Sequence, residues 1–217
     1  MRGRWVIFPV TVVALLGAGC GGGGQGAGSA NAEGELATPP GKLSAGRYSG
    51  TAASPSKLAP PLKLENALGD EVDIDQYRGK AVLVTFVYTQ CPDVCPLIVG
   101  NLRSAQSELG PRAEDLQIIA VSADPDGDTA AAVARFLSAR SMTDRMEYLI
   151  GSRSELEQVW SDWGVVSRAS PKRNDPDFVE HSALIYGISA GGRITTLYPA
   201  QFEPAQIVHD VPILASE

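Results

Sequence analysis

The chain is poor in the residues that build stapled scaffolds or nucleic-acid surfaces. Only three cysteines and two histidines occur in 217 residues. A structural disulfide framework needs more cysteines at wider spacing, which argues against a small cross-linked fold. Lys and Arg number 18 against 25 Asp and Glu, a formal net charge of −7. No basic cluster occurs in the body of the chain, which argues against nucleic acid as a partner. No internal repeat is visible. The N-terminal apolar stretch, Trp5 to Ala18, is too short for a comfortable membrane span.

What is present begins with a leader. Arg2 and Arg4 give a basic start, the apolar stretch follows, and Leu16-Gly-Ala-Gly-Cys20 resembles a bacterial lipoprotein cleavage box. Gly17 stands where that box usually has a larger aliphatic residue. Residues 1–20 read as a lipoprotein-type signal peptide, with Cys20 as the lipidated N-terminus. An ordinary secretory signal and an uncleaved short anchor are the alternatives. Each puts the domain outside the cytoplasm, and the first puts it on a bacterial cell membrane, lipid-anchored and facing the periplasm or cell exterior. Residues 21–61 are rich in Gly, Ala, Ser and Pro and read as a flexible tether. The glycines are not a phosphate loop, since no strand precedes them and no Lys-Ser/Thr follows. Residues 62–217 are left for one folded domain with a real core.

Within that domain, strands alternate with helices. Leu62–Glu65 reads as a weak strand, Ala81–Tyr88 as a strong buried one, and Leu116–Ala123 and Met146–Ile150 as two more. Helical spacing runs from Leu97 to Leu109, with the start expected near Cys95. A second helix reaches Arg140, with Asp128 and Thr129 able to cap it. Ser152 and Glu155 fit a capping box for a helix carrying Leu156, Val159, Trp160 and Trp163. A polar loop, Ser167 to Asp177, follows. His181 is expected to open the next strand, Ala183–Ile188 and Ile194–Leu197 form a hairpin, and Pro204–Leu214 is a last helix disturbed by Pro212. The pattern implies an α/β fold: a mixed sheet with helices on both faces, and an active edge where the first βα turn emerges.

That turn holds the chemistry. Cys91-Pro-Asp-Val-Cys95, followed by Pro96, comes straight after the strong strand. Both thiols lie where a helix begins, and a helix N-terminus favours thiolates. In helical geometry positions 91 and 95 share a face with Cβ atoms about 5–6 Å apart. The pair can close a disulfide or clamp a soft metal ion. His181, after a long loop, can face the same edge. Two thiolates and an imidazole suit copper, as Cu(I) or Cu(II), and also zinc with a water as fourth ligand. Asp93 reads as a first-turn acid, and Asp124 either supports the site or turns the chain before Pro125. His209 reads as a bland helix residue, Trp160 and Trp163 as packing, and Met142 and Met146 as core filling.

Thr85-Phe-Val-Tyr-Thr-Gln-Cys-Pro-Asp-Val-Cys-Pro96 resembles the signature of the Sco/SenC copper-delivery proteins. The likeness extends through Asp70–Lys80, Val121-Ser-Ala-Asp-Pro-Asp-Gly-Asp-Thr129 and Glu180-His-Ser-Ala183, covering roughly residues 62 to 214. It implies a thioredoxin-like fold held to a membrane, copper bound by Cys91, Cys95 and His181, and help in assembling the dinuclear copper centre of cytochrome c oxidase. The implied partners are that enzyme's copper-site subunit or another copper carrier. Some relatives act instead as thiol-disulfide oxidoreductases; in that role Cys91, taken as the exposed thiol, would attack and Cys95 would resolve. Gln90 stands where many members carry His. No proline lies between Asp177 and Pro199, where ordinary thioredoxins carry a cis-proline beside their cysteines. A thiol peroxidase lacks its Arg/Thr environment here.

Overall fold

Residues 81–87 are buried at every position. A strand without an exposed side must be covered on both faces, so it belongs at the centre of a sandwiched sheet. The structure, a computed structural model, describes residues 46–169 and 179–217. The signal peptide and Cys20, tether residues 21–45 and loop residues 170–177 lie outside the described residues. Along the described chain run β1 (Thr51–Leu58), β2 (Lys63–Asn66), β3 (Glu71–Asp73), β4 (Ala81–Val87), α1 (Val94–Leu109), β5 (Leu116–Ser122) and α2 (Ala130–Ala139). There follow β6 (Glu147–Ile150), α3 (Arg153–Trp163), β7 (Ser167–Ala169), β8 (Val179–His181), β9 (Leu184–Ile188), β10 (Arg193–Pro199) and α4 (Pro204–Ala215).

Eight strands form one sheet in the order β1-β10-β9-β4-β5-β6-β2-β3, and β7 and β8 form a separate two-stranded ribbon. β4, β5 and β6 are parallel neighbours, while β9 runs antiparallel to β4. Side chains alternate across the sheet, as the pleat requires. Ala81, Leu83 and Val87 of β4 pack beneath α1, α2 and α4 with Ile98, Leu102, Phe136 and Val211. Val82, Val84 and Phe86 pack on the opposite face with Leu156, Trp160 and Trp163 of α3. The mixed sheet with helices on both faces is thus what the alternation of elements implies.

Three local features differ from the sequence reading. Residues 51–58, read as the end of the tether, form β1 on the antiparallel edge beside β10. Its burial pattern is almost wholly exposed, so it carries no apolar periodicity to recognise. Just before it, Gly50 lies so close to Thr196 and Tyr198 that a Cβ would sit 2.4 Å from the Thr196 hydroxyl. Only glycine allows that approach. Second, α1 ends at Leu109 with Gly110 as its C-cap, as read, but residues 110–115, for which the sequence reading gives no element, form a 3-10 turn before β5. Third, His181 closes β8 instead of opening the following strand. The Ser182 N–H donates to the Val166 carbonyl, and Ser182 Oγ receives the Val166 N–H, so the chain breaks there before β9. Pro212 is accommodated inside α4.

Candidate functional site

The site sits at the C-terminal end of β4. Cys91 N–H donates to the Tyr88 carbonyl at 3.3 Å, turning the chain out of the strand. Asp93 then caps α1, its carboxylate receiving the Val94 N–H. It is therefore an N-cap, one position outside the first turn. The helix begins at Val94 and brings Cys95 onto its first turn. There the Cys95 N–H, one of the donors a helix start leaves unmatched, points at Cys91 Sγ at 3.3 Å. Both cysteines are present as thiols. Both are buried: Cys91 is 5 % exposed and Cys95 0 %. The expectation of an exposed Cys91 is thus corrected, because the loop packs it into the core beneath α1.

The expectation of favoured thiolates also needs correction at Cys95. Its proton is held far more tightly than an ordinary thiol's. The hydrogen bond to Cys91 is the largest cause, burial the second and repulsion from charge on Cys91 the third, while the Tyr88 backbone works the other way. What removes that proton most readily is a soft cation that takes the sulfur as ligand. The donor chemistry of two sulfurs in a single turn fits a copper ion.

Asp128, read from the sequence only as a possible helix cap, has a larger role. Thr129 caps α2 through its hydroxyl. The Asp128 carboxylate is 4 % exposed and receives three hydrogen bonds. They come from Thr89 N–H at 2.8 Å, Ser122 Oγ at 2.6 Å and the Tyr148 hydroxyl at 2.8 Å. It thereby ties the cysteine loop to the ends of β5 and β6. Nothing local in the sequence signals this, since Thr89 and Tyr148 are distant along the chain. Asp124 turns the adjacent loop, receiving the Asp126 N–H and donating its own N–H to Ser122 Oγ.

The backbone of His181 is paired with Ser167 in the β7–β8 ribbon. Ser167 Oγ donates to the Ala123 carbonyl at 2.7 Å, and Ala123 N–H donates to the Val87 carbonyl at 2.8 Å. These links bring the ribbon to the sheet end that bears the cysteines. The His181 side chain lies outside the described residues. Among the described residues, no group of three or more His, Cys, Asp or Glu side chains is assembled for a metal ion, and no helix is long and apolar enough to cross a membrane.

Comparison with known proteins agrees with this architecture. The family model described as SCO1/SenC matches residues 50–216. The mitochondrial SCO2 homolog of Bos taurus is 35 % identical over 138 residues, which is 62 % of this chain and 51 % of the relative. The SCO1 protein homolog of Bacillus subtilis (strain 168) is 26 % identical over 142 residues, 64 % of this chain and 72 % of the relative. The chain thus spans about half the length of the mitochondrial relative. Among solved structures, Bradyrhizobium japonicum ScoI with copper bound has a TM-score of 0.65 at 29 % identity, covering 73 % of this chain and 99 % of that one. The apo Sco1 protein from Thermus thermophilus has a TM-score of 0.66 at 30 % identity, covering 77 % and 96 %. Strand order, the cysteine turn and these likenesses agree: the chain belongs to the SCO1/SenC family.

Proposed function

We propose that this protein is an extracytoplasmic copper chaperone, moored to a membrane through Cys20, that carries copper on Cys91, Cys95 and His181. It passes the ion by ligand exchange to thiols of the copper-site subunit of cytochrome c oxidase or to another copper carrier, assisting assembly of the dinuclear copper centre. The observation that carries the reading is the pair of sulfurs on one helical turn, at the sheet end to which Ser167 ties the His181 strand. The copper-bound relative, matched over nearly its whole length, supports it. An oxidised cysteine pair offers no thiolate, so the Cys91–Cys95 redox state gates loading. The donor set also accepts zinc in vitro.

The competing description is a thiol-disulfide oxidoreductase that keeps copper-site cysteines reduced. Here Cys91, the less buried sulfur, attacks and Cys95 resolves. Copper titration of the reduced full chain and of its His181→Ala variant decides. The expected result is thiolate-to-copper charge transfer in the parent, copper affinity lowered by at least about tenfold in the variant, and disulfide exchange largely retained. Unchanged copper affinity in the variant refutes the ligand role of His181. Catalytic reduction of a partner disulfide without copper, at a rate suited to turnover, favours the oxidoreductase.

A further inference from the structure

Beside the cysteine loop a groove of about 520 Å³ follows α2. One end is formed by Thr89 and Gln90, immediately before Cys91, and the other by Arg135, Phe136 and Arg140. Both charged side chains lining it are arginines, in a chain whose net charge is −7. Arg140 is held in place. Its Nη1 donates to the Phe136 carbonyl at 3.2 Å, and its guanidinium lies 3.8 Å over the Phe136 ring. Its buried Nε has no acceptor among the described residues, a donor the protein itself leaves unmatched.

The dimensions select the ligand. From Thr129 to Arg140 the helix rises about 16 Å at about 1.5 Å per residue. That is far longer than a single inorganic anion and close to about five residues of extended chain. Both arginines line the groove, and Arg140 turns its guanidinium back over the Phe136 ring. Guanidinium groups recognise carboxylates with paired hydrogen bonds. At the cysteine end the lining is uncharged, Thr89, Gln90, Gly127 and Thr129, with Asp124 beside Gly127. Asp124 and Gln90 crowd Gly127, where a Cβ would sit 2.2 Å from Asp124 Oδ2. Acids are disfavoured there, so the groove has a direction: neutral beside the cysteines, acidic toward Arg140.

We propose that this groove seats an extended acidic segment of a partner protein. Carboxylates of that segment engage Arg135 and Arg140, and the body of the partner then lies over Cys91 and Cys95. That the partner is the copper recipient rests on the function proposed above, whereas affinity for the acidic segment does not.

The test uses the reduced, copper-free full chain and a fluorescent hexapeptide, Gly-Thr-Glu-Thr-Glu-Gly, blocked at both ends. Fluorescence anisotropy is expected to give saturable binding that weakens with salt, with amide shift changes at Gln90, Thr129 and Ala132. Arg135→Gln, an exposed change that leaves packing intact, weakens binding. Arg135→Gln combined with Arg140→Gln weakens it by about tenfold or more, and Arg140→Lys retains only part of the affinity. Copper affinity of the double variant stays at the parent value, which keeps failure of the groove apart from failure of the copper reading. Equal binding of a Gly-Thr-Lys-Thr-Lys-Gly peptide would overturn the proposal. So would undiminished binding by the double variant, full displacement by equimolar inorganic phosphate, shift changes confined to another surface, or a parallel loss of copper affinity.

Discussion

Asp128 lies beneath the cysteine loop and bonds Thr89, two residues before Cys91. Asp128→Ala leaves the Thr89 N–H without its acceptor and strands two buried hydroxyls that can reorient only in part. The expected cost is about 3 kcal/mol in urea unfolding, with faster amide exchange from Thr89 to Cys91. A loss no greater than that of a surface substitution would refute the role of the carboxylate as the loop's anchor. The same residue sets a pH dependence. Burial raises its pKa even against its hydrogen-bond donors. A carboxyl whose folded pKa lies above its unfolded value contributes stability that is fully present below the unfolded value and is lost as pH rises through the folded one. The urea midpoint of the parent should therefore fall relative to Asp128→Asn as pH climbs out of the acid range, and parallel curves would contradict it. Among the site residues, Cys91 and Cys95 are legible because their spacing and the strand before them are local. Asp128 is not, because its partners meet only when β4, β5 and β6 lie side by side.

The elements that the sequence makes visible are those with a strong period or a cap. β4 and β5 announce themselves by continuous burial, and α3 by Ser152 and Glu155, which form the expected reciprocal cap. Hydrogen bonds from Ser152 hold the Glu155 carboxyl below the usual glutamate range. A depressed carboxyl contributes stability above its unfolded pKa and loses it as pH falls through the folded value. Glu155→Gln should therefore lower the thermal midpoint at neutral pH and have less effect in acid, measured by scanning calorimetry on both sides of the glutamate range. β1 is hidden for the opposite reason. It is an exposed edge strand joined to β10 by backbone pairing, and its anchor lies far away in sequence. The buried Asp210 of α4 receives the N–H groups of Ser49 at 2.7 Å and Gly50 at 2.9 Å, together with the Tyr198 hydroxyl at 2.8 Å. Asp210→Ala should detach this segment and open β1 to limited proteolysis between Ser49 and Leu58, while α1 stays protected. Unchanged cleavage would mean that strand pairing alone holds the edge.

At the scale of the whole molecule, the two faces of the sheet carry separate cores joined through β4 and β5. The domain boundary read from composition, at residue 62, falls after a strand that belongs to the sheet, and the family model likewise begins at residue 50. A chain starting at Gly46 should keep the parent's thermal midpoint, whereas one starting at Ala59 should melt several degrees lower. Equal midpoints for the two would show β1 to be dispensable.

β1 begins level with the last turns of β10, which runs the same way as β4. The chain therefore enters the domain at the rim that also bears the two sulfurs, offset by three strand spacings, about 14 Å sideways. Under the mooring proposed above, a point of attachment at this rim would not add the height of the sheet to the distance between membrane and copper.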